Sequence, residues 1–182
     1  NKFFSVQYTG YFDLTQVALV APMSLISVSI SQVLLQNISE KKNNREGIRD
    51  KIFKLGLLLT GVGIVCIFVI VFFGPQLFSF VFGSKWELSG QYSRILIFAY
   101  VIRFIISSIS IVLISLEKIK LLSLWQILYF VLVGSLIFFP GLPFENFIKL
   151  FVVLNLLAYL IYAVIIYRVI NTYEKSILIS QT

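Results

Sequence analysis

The sequence predicts an all-α membrane protein, a polytopic helical bundle of about five transmembrane helices, and two observations support this prediction. Hydrophobic residues make up 59% of the 182 residues and charged residues 13%, with a mean hydropathy of +0.96, whereas soluble chains are about 45–50% apolar and about 25% charged. Apolar runs also recur at close to the roughly 20 residues that a membrane-spanning helix requires. A membrane β-barrel would instead show segments of about 10 residues with alternating hydropathy, which are absent from the sequence.

Five apolar runs, separated by charged or Gly/Pro-containing segments, define the predicted spans. They cover residues 14–36, 53–73, 94–116, 121–139 and 146–170, within one transmembrane bundle of residues 1–175 that is followed by a frayed tail at residues 176–182. The polar segment 37–54 is expected to be a loop, and Gly74-Pro75 is expected to end the second span. Because the chain begins with Asn1 and not with Met, we expect it to be a piece of a longer protein.

The basic residues are distributed unequally between the two ends of the predicted spans. One side collects Lys41, Lys42, Arg45, Arg49, Lys51, Lys54, Lys118, Lys120, Arg168 and Lys175, and the other collects Lys2, Lys85, Arg94 and Lys149. Loops rich in Lys and Arg stay in the cytoplasm. We therefore expect a multi-pass protein of the inner (plasma) membrane whose C-terminus is cytoplasmic, in contact with membrane lipids.

Several classes of function conflict with the residue content. The chain has no histidine, and its one cysteine, Cys66, lies inside an apolar run, which argues against a disulfide, a metal site or His-dependent catalysis. No nucleophile with a base, nucleotide-binding loop or pair of carboxylates at fixed spacing is present. We therefore expect no enzyme activity, no cofactor and, because no soluble module carries a basic face, no nucleic-acid partner.

The third span contains the most informative residue, Arg103, roughly 13 Å along the helix axis from Arg94. An ionisable side chain inside a membrane is costly and usually faces a partner or a watery cavity. On a helical wheel Ser107, Ser110 and Glu117 fall within about 40° of Arg103, and Tyr100 within about 60°. This polar stripe predicts a site for an anionic headgroup, since a guanidinium matches phosphate or carboxylate. The alternative is a structural ion pair or carbonyl contact inside the bundle.

Other spans contribute further candidates. On the first span, one side carries Asp13, Ser24, Ser27 and Ser31, which is typical either of close helix packing or of a cavity-lining helix. Asp13 and Glu117 are candidates for an ion or proton relay, although an acid at the end of a span is often simply interfacial. Asn155, on the fifth span, is a candidate to bind substrate or to form a hydrogen bond between helices.

Two stretches resemble one family of transporters. The segment GYFDLTQVALVAPMSLISVSISQVLLQNISE and the segment FVFGSKWELSGQYSRILIFAYVIRFIISSISIVLISLEK resemble bacterial polysaccharide transporters, the O-antigen and capsule-unit flippases of the multidrug/oligosaccharidyl-lipid/polysaccharide exporter superfamily. The resemblance covers most of the chain from Gly10 to Lys120. It implies that the chain is the C-terminal bundle of a two-bundle transporter whose N-terminal bundle is a missing partner.

The resemblance also implies a substrate, an oligosaccharide on a polyprenyl diphosphate, which is moved to the outer leaflet by alternating access. It places Arg103 at a position that faces the central cavity, with Tyr100, Ser107 and Ser110 beside it. Two alternatives stay open: a small-solute or multidrug antiporter of the same superfamily, for which Asp13 is the candidate acid, and a non-transporting membrane scaffold subunit.

Overall fold

The predicted spans are helical almost throughout, because a backbone that crosses hydrocarbon must satisfy its N–H and C=O groups internally. The computed structural model describes the backbone of residues 4–181 and the side chains of residues 4–179, and the regular elements within that part are all helical. The α-helices are α1 (Val6–Asn43), α2 (Arg49–Phe82), α3 (Glu87–Ile109), α4 (Ile111–Ser115), α5 (Ile119–Gly134) and α6 (Phe144–Gln181). Short 3₁₀ helices at Ser84–Trp86 and Ser135–Phe138 precede α3 and follow α5.

Five segments of this part of the chain are long and apolar enough to cross a membrane, as predicted. They are Val6–Asn43, Arg49–Phe82, Ser84–Ser115, Ile119–Phe138 and Phe144–Ile179. The helices are longer than the predicted spans, so the expected loop at residues 37–54 shortens to residues 44–48, and α6 remains helical through most of the expected tail. Hydropathy marks only the apolar part of a helix, whereas the hydrogen-bonded backbone continues into water.

The predicted break at Gly74-Pro75 is wrong, since α2 continues through Pro75 to Phe82. Proline removes one intrahelical hydrogen bond, but neighbouring side chains allow membrane helices to tolerate this loss. The carbonyl that Pro75 leaves without its intrahelical donor is that of Val71, and Arg94 Nη2 on α3 donates to the next carbonyl along α2, that of Phe72, at 3.4 Å.

Helix α3 is the centre of the bundle. It packs against α1, α2 and α6, while α5 packs beside α6, and half of its most apolar stretch is buried, compared with about a tenth in α1 and α2. Leu96 and Ile97 are fully buried in one apolar cluster, and Val112 and Leu113 of α4 are fully buried in a second. The remaining helices are therefore organised around the helix that carries Arg103.

Side-chain contacts join the helix ends at one side of the bundle, which we call the basic end (residues 37–54, 115–120 and 168–179). Lys42 Nζ donates to Glu117 Oε1 at 2.6 Å. The Glu174 carboxylate accepts hydrogen bonds from the backbone N–H groups of Ile48 and Arg49, at 2.7 and 2.9 Å. These contacts place the ends of α1, α4 and α6 beside the start of α2.

Candidate functional site

A cleft of ≈ 140 Å³ lies between the middle of α1 and the middle of α3, and we call it the Arg103 cleft. It is lined by Val20, Met23, Ser24, Ser27, Val28, Tyr100, Arg103, Phe104 and Ser107. Arg103 is exposed, whereas its α3 neighbours Tyr100 and Phe104 are buried. The structure therefore brings three of the predicted site residues, Tyr100, Arg103 and Ser107, to one opening on the face of α3.

Within the part of the chain whose side chains the structure describes, the guanidinium of Arg103 has no acidic partner. Among the side chains of residues 4–179, the ion pairs are Lys41–Glu46, Lys42–Glu117 and Lys149–Glu145, and none includes Arg103. The phenol hydroxyls of Tyr100, Tyr129 and Tyr159 lie within electrostatic range of its charge. The described residues therefore do not form the structural ion pair that was the alternative for Arg103. The other side chains that line its cleft are uncharged.

The phenol hydroxyls near Arg103 are supplied by three helices, α3, α5 and α6. The Tyr100 side chain is only 4% exposed and its hydroxyl has no hydrogen-bond partner in the described part of the chain. The Tyr159 hydroxyl lies beside the Ser107 side chain. Buried polar groups in native proteins are nearly always hydrogen-bonded, so an unpartnered hydroxyl next to an unpaired cation distinguishes this region from ordinary helix packing.

Asn155 lies one layer behind the cleft. Its Oδ1 accepts a hydrogen bond from the Tyr129 hydroxyl at 3.0 Å, and its Nδ2 donates to the Phe151 carbonyl oxygen at 2.8 Å. The side chain is buried and does not line the cleft. Asn155 therefore orients Tyr129, whose hydroxyl lies within electrostatic range of Arg103, and does not itself reach the opening.

Stacked aromatic rings hold α5 against α6 behind Tyr129. Trp125 stacks on Tyr162 with ring centroids 3.8 Å apart and an interplanar angle of 8°, and the Trp125 indole N–H donates to the Ala158 carbonyl oxygen at 3.0 Å. This packing fixes the position of Tyr129, one helical turn along α5 from Trp125.

The predicted stripe is interrupted at Ser110, where α3 ends. The Ser110 hydroxyl donates to the Ser107 carbonyl oxygen at 2.8 Å, and the Ser110 backbone N–H is shared between the carbonyls of Ile106 and Ser107. Serine side chains that bond to the backbone of their own helix bend it. Ser110 accordingly does not line the Arg103 cleft.

Glu117 does not continue the stripe, contrary to the wheel, because the helical segment ends at Ser115 and Glu117 adopts a φ of 60°. Its side chain is 81% exposed. The hydrogen bond from the Lys42 ammonium holds the pKa of the Glu117 carboxyl below its ordinary value. Glu117 thus joins α1 to the turn after α4 at the basic end, away from Arg103.

Asp13 is exposed on α1 and does not line the cleft. It lies seven residues before Val20, and so on the same side of α1, about 10 Å along the helix axis. The serines that share this side have different roles. Ser24 lines the cleft, whereas the Ser31 hydroxyl donates to the Ser108 carbonyl oxygen at 3.2 Å.

Two residues of this region, Tyr129 and Tyr159, were not predicted as site residues. Tyrosines are common at the ends of membrane helices, and nothing in the spacing within α5 or α6 distinguishes these two from interfacial residues. Their role depends on where α5 and α6 pack on α3.

Among the described residues no group of three His, Cys, Asp or Glu side chains is placed to hold a metal ion.

Comparison with known proteins gives one family. The model of a family described as polysaccharide biosynthesis protein matches residues 1–91, which is half of the chain. No curated protein and no solved structure matches. The matched segment contains the first of the two stretches that carry the resemblance to polysaccharide transporters and confirms that resemblance, while Arg103 lies beyond it.

Proposed function

We propose, from the premise that this chain belongs to the polysaccharide biosynthesis protein family, that it forms part of a membrane flippase. The flippase would export polyprenyl-diphosphate-linked oligosaccharide units from the cytoplasmic to the outer leaflet, for O-antigen, capsule or exopolysaccharide synthesis. The observation that carries the proposal is Arg103, an exposed cation that has no acidic partner among residues 4–179 and lies in a cleft about halfway along a membrane-spanning segment.

The energetics of the bilayer explain why this observation favours a function. An arginine at the centre of a membrane helix costs about 2.5–3.5 kcal/mol on insertion scales. No ion pair offsets this cost within the described residues, because none of their ion pairs includes Arg103. An anionic group that enters the cleft would form an ion pair with the Arg103 guanidinium. The fork of guanidinium N–H groups also matches the oxygen spacing of a diphosphate.

The surroundings of Arg103 suit the polar part of such a substrate. Ser24, Ser27 and Ser107 line the same cleft and offer hydroxyls to phosphate or sugar. The cleft is open on the side where α1 meets α3, and we place a second helical bundle of the same transporter opposite that side. Rocking of one bundle against the other would then expose Arg103 alternately to the two leaflets.

Replacement of Arg103 in the transporter expressed from its complete gene tests the proposal. In cells that lack their own copy, we expect Arg103→Gln to lower surface polysaccharide at least about tenfold, since a charge-assisted hydrogen bond contributes about 1.5–3 kcal/mol. Arg103→Lys should restore part of the export, because it retains the charge without the fork. Surface polysaccharide is measured by gel electrophoresis and protein level by immunoblotting.

Arg168→Gln is the matched control, since Arg168 is also an exposed arginine in a membrane helix but lies outside the Arg103 cleft. Normal polysaccharide in the Arg103→Gln cells would contradict the proposal. Changed solute resistance in Arg103→Gln and Asp13→Asn cells, with polysaccharide unchanged, would identify a small-solute antiporter. If deletion of the chain abolishes surface polysaccharide and Arg103→Gln leaves it unchanged, the chain is a scaffold subunit.

The proposal includes an orientation in the inner membrane, with the basic end and the C-terminus in the cytoplasm. The single Cys66 makes this measurable. In a Cys66→Ser background, we expect Gly141→Cys, in the turn before α6 at the opposite end, to react with a membrane-impermeant thiol reagent in intact cells. Asn44→Cys, in the turn after α1, should react only after the membrane is opened. The reverse pattern would contradict the orientation.

A further inference from the structure

A second, larger cavity lies on a different side of α3 from the Arg103 cleft. It measures ≈ 680 Å³ and runs between α2 and α6, with Ile105, Ile106 and Ile109 of α3 at its floor. On a helical wheel Ile105, Ile109 and Ile106 point about 160°, 120° and 60° away from Arg103. We call this cavity the α2–α6 groove. It shares no lining residue with the Arg103 cleft, and an inference about it does not depend on the proposed export.

The walls of the groove are apolar, and its polar groups lie mainly at one end. Phe53 and Leu57 of α2 face Ile166 of α6 across it, whereas Arg49 and Asn171 lie at the basic end. Arg49 is exposed, and none of the ion pairs within residues 4–179 includes its side chain. The groove is therefore an apolar channel with an available cation at its mouth.

The length of the groove matches half of a bilayer. Its lining on α2 extends from Arg49 to Thr60, which is about 16 Å at the helical rise of 1.5 Å per residue. The hydrocarbon core of a membrane is about 30 Å thick. A lipid chain anchored at Arg49 and lying along the groove would thus end near the bilayer midplane.

Nearby groups define what the mouth can bind. The backbone N–H groups of Ile48 and Arg49 are already bound by the Glu174 carboxylate, so these two donors are not free to bind a headgroup. The Arg49 guanidinium and the Asn171 amide are side-chain groups at this end of the groove lining that can contact a headgroup. A guanidinium favours a phosphate oxygen pair, and cations beside a membrane surface attract anionic lipids by about 1 kcal/mol each.

We propose that the α2–α6 groove is a binding site for an anionic phospholipid of the leaflet at the basic end. One acyl chain lies between α2 and α6 on the isoleucines of α3, and Arg49 pairs with the phosphate. This lipid is a resident partner of the bundle and is distinct from any substrate of the Arg103 cleft.

Native mass spectrometry of the purified full chain, titrated with phosphatidylglycerol or phosphatidylethanolamine, tests the site. We expect tighter binding of phosphatidylglycerol, weakened about fivefold by Arg49→Gln, the factor that corresponds to about 1 kcal/mol. Arg49→Lys should retain most of the affinity. Gly56→Phe places a ring in the groove, where the nearest neighbour of an added Cβ is the Ile109 side chain at 3.4 Å, and should weaken binding of both lipids.

Two control variants on α2 match these changes. Lys54→Gln removes an exposed cation that does not line the groove, and Gly61→Phe adds a ring where an added Cβ meets nothing within 4 Å. Both should bind phosphatidylglycerol as the unmodified chain does. Equal affinity of Arg49→Gln and Lys54→Gln would overturn the proposal, as would displacement of the phospholipid by an isoprenoid phosphate. Should Gly56→Phe fail to fold, the Arg49 variants still decide, because that side chain is exposed.

Discussion

The two faces of α3 are built differently. Towards α2, the contact relies on small residues that allow the backbones to approach. A Cβ added to Gly90 would lie 2.5 Å from Pro75 Cα, and one added to Gly63 would lie 2.5 Å from Val101 Cγ1. Close approach through glycine is how membrane helices gain packing energy without a hydrophobic driving force.

Towards α1, the contact relies on hydroxyl groups. The Thr15 hydroxyl donates to the Ser89 carbonyl oxygen at 2.9 Å near one end, and the Ser108 hydroxyl donates to the Ser27 hydroxyl at 2.9 Å towards the other. The Arg103 cleft lies between these two positions. The α1 face is thus joined by hydrogen bonds at two places and is open between them.

The difference shows where the bundle can accept a ligand. Atoms that interlock at van der Waals distance cannot separate without loss of packing, whereas a hydroxyl–hydroxyl bond between membrane helices contributes only about 0.6 kcal/mol on average. We therefore expect α2 and α3 to behave as one rigid pair and the α1–α3 contact to be the one that adjusts around a substrate.

The strongest test of the rigid pair is Gly90→Leu. The added Cβ would overlap the α2 backbone at Pro75, which cannot rotate away as a side chain can, so we expect destabilisation of about 3 kcal/mol or more. Thermal unfolding in detergent and the yield of monodisperse protein measure the effect. Gly61→Leu is the matched control, since a Cβ there meets nothing within 4 Å, and equal melting temperatures for the two variants would refute the rigid pair.

A smaller effect is expected on the α1 face. Ser108→Ala removes the hydrogen bond to Ser27 and should lower the free energy of unfolding by about 0.6 kcal/mol. A double-mutant cycle with Ser27→Ala, followed by denaturation in mixed micelles, should return a coupling energy of the same size.

The control for this cycle is Ser29→Ala, because the Ser29 hydroxyl donates to the Leu25 carbonyl oxygen within α1 and is exposed. A coupling energy as large as several kcal/mol between Ser27 and Ser108 would mean that the α1 contact is as rigid as the α2 contact. The contrast between the two faces would then be lost.

The sequence predicted much of the Arg103 cleft because its α3 residues are close along one helix. Tyr100, Arg103 and Ser107 share a face by helical periodicity alone. The same reasoning was wrong for Glu117, because the wheel assumes an unbroken helix, whereas α3 ends at Ile109, the next helical segment ends at Ser115 and Glu117 adopts a φ of 60°. Tyr129 could not be predicted, since its place beside Arg103 depends on how α5 and α6 pack on α3.

By itself, the sequence determined that the chain forms five membrane-length helices and that one of them carries a charged residue deep in its span. Both follow from local properties: the hydropathy of consecutive residues and the periodicity of a helix. Only the tertiary structure decided that Arg103 faces an open cleft with no carboxylate within ion-pair distance among the described residues, and that a second groove opens behind it. Those outcomes depend on how closely each neighbour can approach α3, which small residues permit on one face and hydroxyl contacts limit on the other.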